Sequence, residues 1–539
     1  TMHLCRSSRS GGLMNYYLAL AFFQLVAKLV SGLKGSLVFN PASPYPQNIY
    51  DPTSLGVRVV RPVYAIVPRT RDGHHNVTVV LTIWLRRVGA TQGPYDMPHQ
   101  SKDSIRLLVW VDSPRNLHMR VFGHLNLPIE HYQWHPHLSL ETALPGLVLK
   151  ATLEPTSRQY STVWGQSPRP YSFHVALPPG SSDCFKIIEA SFPKHKAPVC
   201  LPSAASDGVC NSLAPPDSFN LTRPALYNAI GPIRNPRSTR DWNSHMSWVS
   251  GRLINYVTYH VAMGVTGLLQ YTDELMRSFL MQNMQIVELV RRGHLRLVEW
   301  DMPERAHDDT DGAGRPLGYN YDQALFASHV LLGLSACGAN LVLLVTDLDE
   351  YLYFPKPGRR WPEPWATCMG PTSSVTDSGH AQPRITVFQL QRYDLLTSHV
   401  APKDESRLWA TPGALPIAEN ETGWRAAGHG DDNGQLQHPM SQYDLLSIQP
   451  MARMHVKQAQ LPAARVVLFF VHEGAPMIGF KQLVHHRCMA LLHLPNFFRD
   501  RRSANGSSDS TKRQNALKWR PFRHWMFLKP GDATTQSGL

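Results

Sequence analysis

Between residues 57 and 180 the apolar positions fall in short runs: VRVVRPVYAIV, NVTVVLTIWL, IRLLVWV, LVLKATL and YSFHVAL. They are rich in β-branched and aromatic residues, are broken by Gly, Pro, Asn and Asp, and have no helical spacing between them. Such runs predict the strands of an antiparallel, sandwich-like module. No catalytic constellation lies within it. Residues 181–246 are dense in Pro, Ser, Asn and Gly and read as a linker or insertion, with KAPVCLP (196–202) as a candidate first strand of the next domain.

From residue 247 the rhythm changes. WVSGRLINYVTYHVAMG has helical spacing, GLLQYTD is a short strand ending in an acid, and ELMRSFLMQNMQIVELVRRG predicts one longer amphipathic helix closed by Gly293. HLRLVEW reads as a strand, NYDQALFASHVLLGLSACG as a helix ending at Gly338, and NLVLLVT as a buried strand. Strands alternating with helices of this length predict βαβ units and a parallel, Rossmann-like sheet over 247–499, so the expected fold class is α/β. Asp273, Asp301 and Asp347 all fall at carboxyl ends of strands, where open sheets bind ligands. RITVFQLQRYD and RVVLFFVHEG predict further strands, and 500–539 reads as a polar, disordered tail.

Composition narrows the classes. A chain of 539 residues with 43% apolar content has room for two or three globular domains. The 53 Lys and Arg against 40 Asp and Glu give +13, but no basic run interleaves with aromatics, so nucleic acid is not an expected partner. The seven cysteines lie too far apart for a zinc ribbon or a redox C-x-x-C. Sequons at Asn76, Asn220, Asn420 and Asn505, with Cys184, Cys200 and Cys210 close together, favour an oxidising secretory compartment; chance sequons and reduced thiols are the alternative. In the segment 1–56, Arg6 and Arg9 precede the apolar stretch 13–33 in the orientation of a signal anchor with a lumenal catalytic part. Asn15, Gln24 and Lys28 interrupt that stretch, so an amphipathic helix competes with a membrane anchor.

The stretch ANLVLLVTDLDEYLYF (339–354) sets three acids, Asp347, Asp349 and Glu350, at the end of a buried strand. Two unit charges about 5 Å apart repel by roughly 3 kcal/mol at an effective dielectric near 20, so the cluster calls for counter-charge. Arg359 and Arg360 are one candidate source and a bound divalent cation, Mg²⁺ or Mn²⁺, is the other. Two enzyme classes carry D-x-D at such a strand end. In haloacid-dehalogenase-like phosphatases the pair lies early in the domain and Thr or Val follows, where this chain has Tyr351. Nucleotide-sugar glycosyltransferases of GT-A fold carry it mid-domain.

Several segments together resemble glycosyltransferase family 92. NYVTYHVAMGVTGLLQYTDE (255–274), VEW (298–300), DQALFASHV (322–330) and VLLVTDLDEYL (342–352) follow that family's order, and VFQLQRYDLLTSH (387–399) and MHVKQAQLPAARVVLFFVHEG (454–474) look like its later segments. Asn255 and Tyr256 depart from it, standing where the family has an acid and Trp, and His329 departs in the later helix.

The resemblance implies a GT-A domain behind the β-rich module and an inverting transfer of a hexose, galactose foremost, from a UDP-sugar to a glycan or polysaccharide hydroxyl. It also implies Mn²⁺ or Mg²⁺ and the Golgi or another secretory lumen, as a type II membrane protein if residues 13–33 span. Carried over residue by residue, Asp347 and Asp349 would bind the metal, with His472 as the later ligand. Tyr271, Asp273, Gln323, Asp347, Glu350 and Lys457 would meet the nucleotide-sugar, Glu350 also bracing the turn. Asp394 and Glu473 are the candidates for the base that takes the acceptor proton. The alternative is a carbohydrate-binding protein that keeps the scaffold without turnover.

Overall fold

The computed structural model describes residues 55–60, 63–66, 77–89, 103–112, 136–154, 169–201, 224–233, 242–300, 317–335, 337, 341–368, 385–409, 438–451, 456–464, 466–470, 473–476, 479–497 and 519–527. The candidate anchor at 13–33 and His472 lie outside them. Among the described residues no helix is long and apolar enough to cross a membrane.

The chain is a mixed α/β protein, rich in strands and built on several sheets. Its N-terminal part is two antiparallel sheets. One holds Arg58–Val60, Val63–Ile66, Val77–Gly89, Asp103–Asp112, Thr152–Leu153 and Arg169–Ala176, and the other Leu138–Thr142, Val148–Lys150, Cys184–Glu189 and Lys196–Cys200. Alternate residues of both, including Ile83, Leu107 and Phe173 from the first and Leu140, Ile187 and Val199 from the second, meet in one core, so the sheets face each other as a sandwich.

The sandwich runs on to residue 200, past the expected boundary at 180. KAPVC is its last strand, paired antiparallel with Cys184–Glu189 so that Cys200 lies opposite Cys184 and a disulfide joins them. KAPVCLP is therefore not the first strand of the following domain. That strand is ALYNAI, within the stretch read as linker, where Asn228 and polar flanks hide it.

The second part is organised by β1 (Ala225–Ile230), β2 (Gly267–Thr272), β3 (Leu295–Glu299) and β4 (Leu341–Thr346), parallel and ordered β3-β2-β1-β4. Helix α1 (Trp242–Ala262) lies on one face and α4 (Leu317–Leu334) on the other. Leu226, Val342 and Leu344 pack with Leu253 and Val257 of α1, while Tyr227, Leu343 and Val345 pack with Leu325 and Val330 of α4. Every side chain of β4 is buried, as expected of a parallel strand covered on both sides.

The predicted long helix after β2 is two: α2 (Glu274–Leu280) and α3 (Met284–Arg291). Asn283 breaks it, because its side chain accepts from the Gln285 N–H and caps α3.

Beyond β4 the chain builds a second sheet. After β5 (Glu350–Tyr353) come α5 (Glu363–Cys368), β6 (Ile385–Leu390), β7 (Arg392–Leu396), α6 (Pro402–Leu408), β8 (Leu445–Ser447), β9 (Lys457–Gln460), β10 (Phe480–Leu483), β11 (Ala490–His493) and β12 (Trp519–Pro521). β9, β6 and β10 extend the parallel sheet, while β5, β11, β7, β8 and β12 form the second one in that order. RITVFQLQRYD thus splits between two sheets at Gln391. Within RVVLFFVH, the described strand Val466–Phe470 belongs to neither, pairing with Glu473–Pro476 in a separate hairpin. β12 also corrects the reading of 500–539 as a tail throughout, because Trp519–Pro521 pairs with β8 and buries Phe522 behind it.

The sandwich and the α/β part share a core. Trp84, Leu108 and Trp110 of the first sheet meet Phe326, Val330 and Leu331 of α4, with Leu55 and Val57 beside them.

Candidate functional site

Strand order reverses between β1 and β4, so the switch point of the parallel sheet lies beyond their carboxyl ends. Asp347, Leu348 and Asp349 turn there from β4 into β5, and Glu350 closes the turn. The Asp347 N–H donates to Glu350 Oε2 at 2.9 Å, and the Glu350 N–H donates to the Asp347 carbonyl at 3.0 Å.

The turn is braced from behind by a buried polar ring. Thr346 Oγ1 donates to Asn228 Oδ1 (3.0 Å), Asn228 Nδ2 donates to the Tyr256 hydroxyl (2.9 Å), and that hydroxyl lies 2.5 Å from Thr346 Oγ1 and 2.9 Å from the Glu350 carbonyl. Tyr256 of α1, a departure from the resembled pattern, therefore ties β1 and β4 to the start of β5.

The charge puzzle has an internal answer for two of the three acids. Lys457 on β9, fully buried, places Nζ 2.8 Å from Asp347 Oδ2 and 3.2 Å from Glu350 Oε2, and Arg392 Nη1 lies 2.7 Å from Glu350 Oε1. Burial opposes the Lys457 charge, but Asp347 and Glu350 outweigh it and hold its pKa above the usual lysine value. Arg359, expected as a counter-charge, instead reaches Glu363 and Cys368. A divalent cation is thus not required by Asp347 and Glu350, contrary to the charge argument from sequence. Nor is the Lys457 ammonium aimed at a nucleotide, since two carboxylates hold it.

Asp349 is different. Its side chain, nearly buried, makes no hydrogen bond among the described residues, and its Oδ2 faces His493 Nε2 at 3.6 Å. Strand register sets His493 in place, and Asp349 reaches it from the turn just before Glu350. Glu350 of β5 and Asp394 of β7 both lie opposite His493 of the central β11, which puts the three side chains in one row. His493 Nδ1 donates to Asp394 Oδ1 at 2.7 Å, which orients the ring with Nε2 turned towards Asp349.

His493 was missed in the sequence. The one signal for it in the sequence was the apolar run MALLH ending in an imidazole. Asp394 is buried behind His493 and orients it, so it is no base for an acceptor hydroxyl.

The other expected residues divide. Gln323 lies nearly two turns into α4 rather than at its start, yet its Nε2 comes within 3.5 Å of Asp347 Oδ1. Tyr271 is not brought to the cluster: it is buried on the α4 side of the sheet with its hydroxyl 2.8 Å from His329 Nδ1. Asp273 caps α2, accepting from the Met276 N–H at 2.7 Å. Glu473 opens the second strand of the hairpin. Among the described residues no three His, Cys, Asp or Glu side chains form a ready metal cage. His260 is a packing residue, donating from Nδ1 to the Tyr256 carbonyl and accepting at Nε2 from the Leu352 N–H; burial holds its pKa down at about 3.

The chain matches no known family among protein-family descriptions and no curated protein.

Proposed function

We propose that the chain is a metal-dependent inverting glycosyltransferase of GT-A architecture, moving a hexose, galactose foremost, from a UDP-sugar to a hydroxyl of a glycan or polysaccharide. The observation that carries this reading is a pair beyond the strand ends: Asp349, at the turn out of β4, faces Nε2 of His493 across 3.6 Å. That gap is too long for a hydrogen bond and comparable with the roughly 3 Å between neighbouring ligands of an octahedral ion with ~2.1 Å bonds. A carboxylate oxygen and a neutral imidazole suit Mn²⁺ or Mg²⁺, with the diphosphate completing the set. Bound there, the ion supplies Lewis-acid stabilisation of the departing UDP.

The chain's own residues do the rest. Lys457 and Arg392 cancel the charge of Asp347 and Glu350, so that a diphosphate approaches an acidic turn whose net charge is small. Asp394 holds the His493 ring, and Gln323 presents its amide beside Asp347. The acceptor oxygen attacks the anomeric carbon, the bond to UDP breaks, and the acceptor proton passes to a base. With Asp394 committed to His493, Glu473 keeps that assignment. Disulfides Cys184–Cys200 and Cys368–Cys488 support a Golgi or other secretory lumen.

One observation favours a second reading, a carbohydrate-binding protein without turnover: Lys457 already sits on Asp347 as an internal cation. The test is UDP release from UDP-galactose by the full chain with Mn²⁺, repeated with chelator and with Asp349→Ala. The expected result is turnover lost in both controls. Binding without cleavage selects the second reading, and a wild type that neither binds nor cleaves any UDP-sugar overturns both.

A further inference from the structure

Cys368 is the last residue of the six-residue helix α5 and is bonded to Cys488. Cys488 lies in a surface turn, its N–H donating to the His485 carbonyl at 2.8 Å, and that turn leads into β11, the strand of His493. Both cysteines are partly exposed, and His485 and Arg487 beside Cys488 are exposed.

Cations stand on both sides of the bond. Arg359 Nη1 donates to Cys368 Sγ at 3.4 Å, and Thr367 Oγ1 lies 3.5 Å from the same sulfur. Arg359 Nε also faces Glu363 at 3.4 Å, but that carboxylate is about half exposed and screened by water. At the other sulfur, Arg487 precedes Cys488, the His485 and His486 rings stack 4.4 Å apart, and the chain carries no acid from Phe480 to Met489. An electropositive, partly exposed setting stabilises thiolates, and a sulfur whose thiolate is stabilised leaves a disulfide faster. The carboxyl end of so short a helix opposes this only weakly, whereas the guanidinium touches the sulfur.

We infer that Cys368–Cys488 is a site of thiol–disulfide exchange, opened by a dithiol reductant of thioredoxin type. The incoming thiolate attacks Cys488 Sγ, the S–S bond breaks, and the electron pair leaves on Cys368 Sγ as a thiolate held by Arg359. The second thiol of the reductant then attacks its own sulfur in the mixed disulfide and gives its proton to the departing Cys488. The reductant ends as a disulfide, and the chain has gained two electrons. Opening the bond unpins the turn ahead of β11 from α5, whatever chemistry the switch point performs.

Two measurements on the intact chain test this. Thioredoxin whose resolving cysteine is replaced by serine is expected to become trapped on Cys488, as read by peptide mass mapping. An adduct on Cys368, or none on either cysteine, overturns the proposal. With unmodified thioredoxin, Arg359→Met is expected to slow reduction of this bond about fivefold. Loosened packing alone would speed it, so an unchanged or faster rate overturns the role of Arg359 and with it the proposal. Should Arg359→Met fail to fold, the trapping result on the natural chain decides by itself.

Discussion

His493 donates from Nδ1 to Asp394 at 2.7 Å, and this single bond decides which ring nitrogen faces Asp349. In metal sites such an outer carboxylate fixes the ligand's tautomer and orientation, and its loss costs about 10- to 100-fold in affinity. Asp394→Asn is therefore expected to weaken Mn²⁺ binding about tenfold while the fold stays intact, read by titration of the free ion's paramagnetic resonance signal. Unchanged affinity would remove Asp394 from the site.

Lys457 holds two carboxylates from a position with no solvent contact. Removing one partner of a buried ion pair leaves the others uncompensated, so Lys457→Met should destabilise the chain by about 3–5 kcal/mol in urea unfolding. A loss below about 1 kcal/mol, the scale of exposed pairs, would show that solvent screens the cluster.

Tyr256→Phe keeps the ring and deletes the hydroxyl shared by Asn228, Thr346 and the Glu350 carbonyl. Buried polar groups left without partners cost about 1–3 kcal/mol. The variant should lose stability on that scale and bind Mn²⁺ more weakly, because the acidic turn loses its rear support. Wild-type behaviour in both measurements would leave the ring of bonds without consequence.

Four buried histidines set the acid limit of the fold. Burial holds the pKa of His260, His329 and His524 at about 3 and that of His438 at about 4. In the unfolded chain they titrate near the ordinary value of about 6.5, so between that pH and about 4 the unfolded state binds more protons and stability falls with pH. It is complete above 6.5 and decreases towards 4, and thermal unfolding at stepped pH reads it out. A midpoint flat from pH 7 to 4 contradicts the assignment.

Gly264 has φ +87°, and a Cβ placed on it would stand 2.4 Å from the Trp361 carbonyl oxygen. Gly264→Ala should cost at least about 2 kcal/mol, the left-handed penalty plus displacement of a backbone atom. A near-neutral change would mean the loop at Trp361 yields freely.

Much of the architecture is legible in the sequence wherever local pattern determines structure. β2, β3 and β4 stand where GLLQYT, LRLVE and LVLLVT announce them, because buried parallel strands are apolar at nearly every position. ALYNAI was not legible, since its Asn228 is buried only by virtue of partners on β4 and α1. KAPVC was misread because a five-residue run says nothing about which strand it will join.

The acidic turn was visible, but its neutralisation was not. Lys457 lies more than a hundred residues from Asp347, and only the antiparallel insertion of β9 beside β4 brings them together. His493 and Asp394 are likewise partners by strand register, which no spacing along the chain encodes.

The shared core of sandwich and α/β part has a practical consequence for dissecting the protein. A chain truncated to begin at β1 would bare the surface of α4 that Trp84, Leu108 and Trp110 now cover. An apolar area of that kind invites self-association in the released fragment. The N-terminal sandwich is thus better regarded as an obligatory wall of the second domain than as a detachable appendage, and its binding properties have to be sought by substitutions on its outer strands rather than by deletion.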